Sequence, residues 1–298
     1  MKKGTFEKSS GFTQVSLLAL IFLFFALLCI ILLRILMPLS SGMKEADVMR
    51  LTIFIQDLFI FILTPLIAQF LLWKEPTKKT LQLTVPDLPV LLWGIIAIAS
   101  VSPLIDLLNT WNQGLHLPES MKSIEQWMID SEKTAEVITN RLLNTDNWGS
   151  FTMNILIIAV MAGIGEEFMF RGVLQKILIN WMRNTHLGIL FAAIIFSAIH
   201  FQFFGFIPRM ILGIVLGYLY VWSKSIWVPI IAHATNNALT VILTSNTFNK
   251  GNELIETVAK DQNNVRYTFV GTAIFAFSMW KIWKYYQVQA AIDEKNGS

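Results

Sequence analysis

Charged and polar side chains interrupt three otherwise apolar stretches of the chain, and their types are those that hydrolytic enzymes use. In chain order they are Glu166, Glu167, Arg171, His200, His233 and Asn237. A charged side chain in a membrane span costs about 2.5–3.5 kcal/mol on insertion scales, so each one needs a structural or functional reason. We therefore consider these six residues together as one candidate catalytic site.

The first stretch contains two adjacent carboxylates that differ in their partners. Glu167 and Arg171 are four residues apart, which places them on one helix face in the favourable order for an ion pair. Glu166 is rotated by about 100° from Glu167, so the same arginine cannot serve both acids equally. The unpaired Glu166 is therefore the candidate general base. On its own, the Glu167–Arg171 pair would equally suit a structural contact between spans.

The second and third stretches supply two histidines and an asparagine. His233 and Asn237 are four residues apart on one helix face, so both can direct hydrogen-bond donors at a single point. An imidazole and a carboxamide placed in this way can stabilise an oxyanion. The same groups with a glutamate could also bind zinc. Each residue alone has a structural explanation as an interhelical contact, but six of them on three spans favour a functional site.

The composition indicates what surrounds these residues. Of 298 residues, 54% are hydrophobic and only 14% are charged, whereas soluble domains carry about 25% charged residues. No basic patch interleaved with aromatic residues is present, so we expect no nucleic-acid partner. The single cysteine, Cys29, lies in an apolar run without a neighbouring base and is interpreted as a packing residue.

Apolar runs long enough to cross a bilayer recur along the chain, since a helix needs about 20 residues for one crossing. The runs are 15–37, 51–73, 90–108, 151–180, 187–204, 206–223, 226–245 and 267–284. We predict an all-α, polytopic transmembrane helix bundle of about eight spans. Glycines beside the two acids would let another helix approach closely; they are Gly163, Gly165 and Gly172.

The distribution of lysine and arginine predicts the orientation of the bundle. The prediction rests on the cations Lys2, Lys3, Lys8, Lys74, Lys78, Lys79, Lys176, Arg183, Lys224, Lys281, Lys284 and Lys295. With eight spans they all fall on one side, which we predict to be cytoplasmic, together with both termini. The acid-rich segment 109–150 then lies outside, and its part from about Glu119 to Leu143 has the spacing of an amphipathic surface helix.

Other polar residues in the spans are interpreted as structural. Asp57 and Asp106 are assigned to interhelical contacts, Arg34 to the outer interface, and Arg209 to an anchor near the outer boundary. The predicted span ends also create a conflict. They place His200 and His233 at depths that differ by roughly 9 Å at about 1.5 Å per residue, so a shared site requires helix tilt or a different span end.

The three motifs resemble those of the CPBP family of intramembrane proteases, which includes the C-a-a-X prenyl endopeptidases and the bacterial Abi proteins. The family pattern Glu-Glu-x-x-x-Arg is present at 166–171, Phe-x-x-x-His at 196–200 and His-x-x-x-Asn at 233–237. The segment 225–230 that leads into the third motif is also similar. The resemblance covers about residues 150–245 and implies an endopeptidase that works within the bilayer.

The resemblance also implies a role for each motif residue. Glu166 and His200 would position and deprotonate a water molecule, while His233 and Asn237 would stabilise the tetrahedral oxyanion. The substrate would be a membrane peptide or lipoprotein, for example a prenylated C-terminal peptide, in contact with membrane lipid. The expected location is the plasma membrane of a bacterium.

The remaining implied roles concern the support of the site and the use of a metal. Glu167 and Arg171 would hold the site, with Glu167 assisting the reaction. The family has been described both as metal-dependent and as glutamate-based. A His-Glu-x-x-His pair is absent from the sequence, so we favour catalysis without a cofactor or metal. The alternative is zinc bound by Glu166, His200 and His233.

The segments of the chain are predicted to form one integrated membrane domain. Residues 1–149 would supply N-terminal spans and the outer amphipathic segment, 150–245 the catalytic helical core, and 246–298 an outer loop and the last span. Two other functions remain open: a non-catalytic immunity or partner-binding protein that uses the same polar pocket, and a transporter. The lack of inverted repeats and of paired broken helices disfavours the transporter.

The topology can be tested with reporter fusions placed after Ser298 and near Asp130. We expect a cytoplasmic signal from the first fusion and an external signal from the second, because the lysine-rich ends lie on one side of an even number of spans. An external signal at Ser298 would contradict this orientation.

Overall fold

A computed structural model describes residues 2–143, 145, 147–249 and 265–295. Within them the chain forms helices joined by short turns. The long helices are α1 (Gly11–Leu36), α2 (Glu45–Leu72), α3 (Leu88–Gln113), α4 (Lys122–Leu143), α5 (Trp148–Met182), α6 (Thr185–Ala198), α7 (Phe206–Ser223), α8 (Trp227–Thr244) and α9 (Val265–Lys295). Short helical turns are found at Met37–Ser40, Thr77–Thr80, Glu119–Met121, Phe203–Gly205 and Asn246–Asn249.

The predicted all-α, polytopic fold class is confirmed, and each predicted run coincides with a helix. In the described part of the chain, five helices are long and apolar enough to cross a membrane: α1, α2, α3, α5 and α7, the last with the helical turn that precedes it. Helix α6 is apolar but has only 14 residues, and α8 carries the polar residues of the candidate site. The total of eight spans therefore remains a prediction.

Helix α6 ends earlier than the sequence predicted. The apolar run 187–204 suggested a full crossing, but the helix stops at Ala198, and its 14 residues extend about 21 Å, less than the roughly 30 Å of a hydrocarbon core. Phe201 then adopts the left-handed conformation with φ of 53°, and the chain reverses into α7. His200 follows this helix end and lines the same cavity as His233, so the predicted difference in depth does not keep the two side chains apart.

Two side chains hold this reversal in place. Ser197 donates a hydrogen bond from Oγ to the Phe206 carbonyl at 2.7 Å. Asn112, at the end of α3, donates from Nδ2 to the carbonyls of Phe203 and Phe204 at 3.0 and 2.6 Å. These bonds satisfy backbone groups that a broken helix leaves unpaired, as a structure within lipid requires.

Helix α4 matches the predicted amphipathic segment. Most of its side chains are exposed, and at its first half the Trp127 ring lies 5.0 Å from that of Phe203. Helix α4 thus covers the reversal between α6 and α7. Its position on the outer membrane surface remains a prediction.

The buried apolar residues form two main clusters on either side of the site. One includes Leu18, Leu72, Phe170 and Phe196 and joins α1, α2, α5 and α6. The other includes Val101, Leu216, Val228 and Ile282 and joins α3, α7, α8 and α9. Both combine helices from distant parts of the chain.

The predicted segment boundaries remain predictions, and residues 250–264 of the predicted outer loop lie outside the described residues.

Gly163 brings α5 and α8 together at the site. A Cβ atom at this position would lie 3.2 Å from the backbone nitrogen of Ala234, which follows His233.

Two stretches of α5, Ile155–Met161 and Phe168–Leu174, are wound as π-helix. Such widened turns are often found at functional sites because they redirect side chains.

We predict that Gly163→Val separates α5 from α8 and lowers both stability and activity. Overpacking at a close contact typically costs about 1–3 kcal/mol, which thermal unfolding of the purified protein would detect. Gly42→Val is the matched control, since nothing lies within 4 Å of a Cβ built at Gly42. Equal losses in the two variants would contradict a special role for the contact at Gly163.

Candidate active site

The buried carboxylate of Glu167 lies at the centre of the site, where it contacts both Arg171 and His233. Glu167 is 0% exposed and Arg171 is 1% exposed. The Arg171 guanidinium donates from Nη1 to Glu167 Oε1 at 2.5 Å and from Nη2 to the Gly213 carbonyl at 3.1 Å. The structure thus contains the ion pair that the spacing predicted, and it ties α5 to α7 as well.

His233 shares the same carboxylate oxygen, which the sequence did not predict. Its Nδ1 lies 2.8 Å from Glu167 Oε1. A carboxylate ionised beside Arg171 only accepts hydrogen bonds, so Nδ1 must carry a proton and donate it. The ring is thereby fixed with Nε2 toward Glu166, whose Oε2 lies 3.8 Å away. A carboxylate that orients a histidine from behind has the same function in catalytic triads.

His200 is oriented by the backbone of its own helix. Its Nδ1 lies 2.8 Å from the Phe196 carbonyl, and because a carbonyl only accepts, Nδ1 is the protonated nitrogen. This leaves Nε2 as the nitrogen available for a ligand.

The ring of Phe196 separates the polar groups and sets their positions. The centres of the His200 and His233 rings lie 5.2 and 5.9 Å from its own centre. The Arg171 guanidinium lies over the same ring at 4.9 Å, within the range of a cation–π contact. The phenylalanine of the Phe-x-x-x-His motif is therefore a spacer among three functional side chains, a role that the sequence analysis did not assign.

Asn237 keeps part of its hydrogen-bonding capacity. Its Nδ2 donates to the Ile158 carbonyl at 3.1 Å, and its Oδ1 accepts from Asn236 Nδ2 at 3.3 Å. A carboxamide has two N–H donors, so one remains beyond the Ile158 bond.

These groups meet at a cavity of about 270 Å³. Glu166, His200, His233 and Asn237 line it, whereas the fully buried Glu167 and Arg171 support it from behind. The structure therefore brings the six predicted residues into one place, four at the cavity and two beneath it. The roles of these residues in a reaction remain a prediction.

Three residues that the sequence analysis interpreted otherwise or passed over also line the cavity. Arg209 is not a peripheral anchor, and Asp106 and Asn109 present a carboxylate and an amide from α3. The spacing of Asp106 and Asn109, one helical turn apart in an apolar run, was a signal that could have indicated a polar helix face. Arg209 had no such signal, because its position depends on where α6 ends.

Asp57 lies behind the site on α2. It is 5% exposed, and its Oδ2 has no hydrogen-bond partner among the described residues. It begins a π-helical stretch, Asp57–Leu63. The sequence analysis treated it as an interhelical contact, which does not account for the unpartnered oxygen.

The alternative set of zinc ligands is only partly suited to a metal. In both histidines Nδ1 bonds to an oxygen, leaving Nε2 free, as is common in metal-binding histidines. Within the described residues, however, no group of three or more His, Cys, Asp or Glu side chains is placed to hold one ion. Zinc binding by Glu166, His200 and His233 therefore stays a prediction, as does catalysis without a metal.

Comparison with known proteins agrees with the motifs. Residues 148–239 match the family model described as type II CAAX prenyl endopeptidase Rce1-like. This match covers about a third of the chain and includes all three motifs, so residues 148–239 are similar to an Rce1-like domain. The described residues also include five helices that are long and apolar enough to cross a membrane, which indicates an integral membrane protein.

Two bacterial proteins are similar to this chain. The uncharacterized protein YpbD of Bacillus subtilis is 33% identical over 84 residues, which cover 27% of this chain and 40% of YpbD. The membrane-embedded CAAX protease MroQ of Staphylococcus aureus is 25% identical over 202 residues, which cover 66% of this chain and 75% of MroQ. The matched part is thus less than half of YpbD. No solved structure matches the chain.

We predict that Arg171→Ala destabilises the Rce1-like domain by about 3–5 kcal/mol, because it leaves the buried Glu167 charge uncompensated. Thermal unfolding would measure the loss. The double variant Arg171→Met with Glu167→Gln is the control, since it removes both charges and should recover part of the stability. An Arg171→Ala protein as stable as the parent would contradict the importance of this ion pair.

Proposed function

We propose that the chain is an intramembrane endopeptidase in which Glu166 takes a proton from the water that attacks a peptide carbonyl. The observation that supports this most strongly is the placement of Glu166 Oε2 at 3.8 Å from His233 Nε2, while Glu167 fixes the other nitrogen of that ring. A separation of 3.8 Å is too long for a direct hydrogen bond. It suits a single water bonded to both atoms.

The reaction would begin with this water. Glu166 accepts one proton, and the oxygen adds to the carbonyl carbon of the substrate. His200 lines the same cavity with Nε2 available, so it can accept a hydrogen bond from the same water. When the tetrahedral intermediate collapses, the C–N bond breaks and Glu166 returns the proton to the departing amine nitrogen.

The developing oxyanion would be held by His233 and Asn237. Asn237 has one N–H beyond its bond to Ile158. Because His233 Nδ1 already donates to Glu167, Nε2 donates to an oxyanion only when the ring carries both protons, so the ring must be an imidazolium before the water attacks and must remain one throughout the reaction. The Glu167 carboxylate stabilises that imidazolium, as the aspartate of a catalytic triad does.

The reaction proposed here uses no metal or cofactor, and a chelator should leave turnover unchanged. The substrate class to test first is a peptide ending in a C-a-a-X sequence, with or without a prenyl group, because MroQ is described as a CAAX protease. Such a substrate would reach the cavity while in contact with membrane lipid. We place the protein in the plasma membrane of a bacterium, with both termini in the cytoplasm.

Glu166→Gln tests the proposal directly. We expect kcat on a C-a-a-X reporter peptide to fall by about 10²–10⁴, the usual contribution of general acid–base catalysis, with peptide affinity nearly unchanged. Glu136→Gln, on the exposed face of α4, is the matched control and should keep the parental rate. The same assay with 1,10-phenanthroline tests the expectation about metal.

Asn237→Ala complements this test. Losing one oxyanion donor should lower kcat by about 10²–10³ with little change in KM. Substantial proteolysis by Glu166→Gln would overturn the assignment of the base. Tight peptide binding without cleavage by the parent protein would favour the non-catalytic partner-binding alternative.

A further inference from the structure

Arg209 places a cation on the wall of the same cavity as the proposed base. It lies in the first turn of α7 and lines the cavity together with Glu166 and His200. The three side chains therefore face the same space of about 270 Å³. Nothing in the proposed mechanism uses this side chain.

The hydrogen bonds of Arg209 leave much of the guanidinium without a partner. Nη2 donates to Gln202 Oε1 at 2.5 Å, and Nη1 donates to the Gln202 carbonyl at 3.4 Å. Both acceptors are neutral, and a guanidinium has five N–H donors. Within the part of the chain that the structure describes, no carboxylate oxygen lies within 4.0 Å of this group.

Two carboxylates influence Arg209 from a distance. Glu132 on α4 and Glu166 are its electrostatic neighbours, but neither is in contact with it. In the proposed reaction Glu166 binds the attacking water and accepts its proton. Glu132 Oε2 is itself buried without a hydrogen-bond partner, so the acid and the arginine do not satisfy each other. Arg209 therefore lines the cavity with only neutral hydrogen-bond acceptors among the described residues.

We propose that Arg209 binds a carboxylate of the substrate, and that this carboxylate is the C-terminus of the peptide. This assignment rests on the proposed function. The cavity has a volume of about 270 Å³, slightly below the usual 300–1,000 Å³ of ligand pockets. We choose the C-terminus because it is a carboxylate that every unmodified peptide carries, whatever its sequence. The carboxylate that Arg209 binds could instead belong to an acidic side chain of the substrate near the scissile bond.

Arginine suits this task better than lysine, because its planar fork matches a carboxylate at two points. In a site largely removed from water, losing such a contact should change affinity by about 10- to 100-fold. Arg209 would then set where the enzyme cuts, by fixing the distance between the chain end and the bond that faces Glu166.

The experiment compares one reporter peptide with a free C-terminal carboxylate and the same peptide with a C-terminal amide. We expect the parent protein to cut the acid with a kcat/KM at least 10-fold above that of the amide. Arg209→Met should bring this ratio close to one, and Arg209→Lys should leave it between these values. A second peptide pair, with Glu or Gln after the scissile bond and an amidated end, tests the side-chain source.

Asp106→Asn is the matched control, because it removes a charge of opposite sign from the same cavity. If Arg209 is the carboxylate-binding group, this variant should keep or widen the preference for the acid. A parent protein that cuts acid and amide at equal rates overturns the proposal and leaves the proposed proteolysis intact. A preference for the acid peptide over the amide peptide that persists in Arg209→Met would also overturn the proposal and leave the proposed proteolysis intact. These comparisons use ratios within each variant, so partial loss of folded protein does not mimic them.

Binding of the same peptides to Glu166→Gln separates the two proposals. A 10-fold preference for the acid that disappears in the double variant with Arg209→Met supports the carboxylate site whether or not the parent protein cuts. If binding shows this preference while no peptide is cut, the protease function fails and the carboxylate site stands. Equal binding of acid and amide overturns the role of Arg209.

Discussion

The site depends on a single buried oxygen, Glu167 Oε1, which accepts hydrogen bonds from both Arg171 and His233. A carboxylate that is fully buried stays ionised only when an opposite charge and hydrogen-bond donors stabilise it. Arg171 supplies the charge from the same helix and also reaches the backbone of α7, while His233 comes from α8. Three helices are thereby held around one acid. The bond from His233 Nδ1 to this acid also directs Nε2 of the same ring toward Glu166.

The cavity exists because two local features open a polar space within an apolar bundle. The early end of α6 places His200 and the first turn of α7 inside the protein, and the hydrogen bonds of Asn112 satisfy the exposed carbonyls of the turn. Gly163 then lets α8 approach α5 closely enough for His233 to reach Glu167. The Phe196 ring keeps the histidines and the arginine apart, so that the cavity remains open to a substrate.

Much of this architecture could be predicted from the sequence because it rests on periodicity. The spacing of Glu167 and Arg171 predicts their ion pair, and the apolar runs predict the helices. The contact between His233 and Glu167 could not be predicted, since it depends on how two distant helices rotate against each other. The end of α6 was wrong in the prediction because hydropathy does not distinguish an apolar helix from an apolar turn. Arg209 was misplaced for the same reason, and the π-helical stretches of α5 leave no simple sequence signal.

The most direct test of this account is the protonation of His233, measured by ¹⁵N NMR on protein labelled at its histidine rings, with His233→Gln to assign the signals. The chain has four histidines, so the spectrum is simple enough for this assignment. The account predicts a His233 ring with a proton on Nδ1 in a strong hydrogen bond, and a change in that signal when Glu167 is replaced by Gln. A ring with an unprotonated Nδ1, insensitive to Glu167→Gln, would contradict the shared carboxylate at the centre of the site.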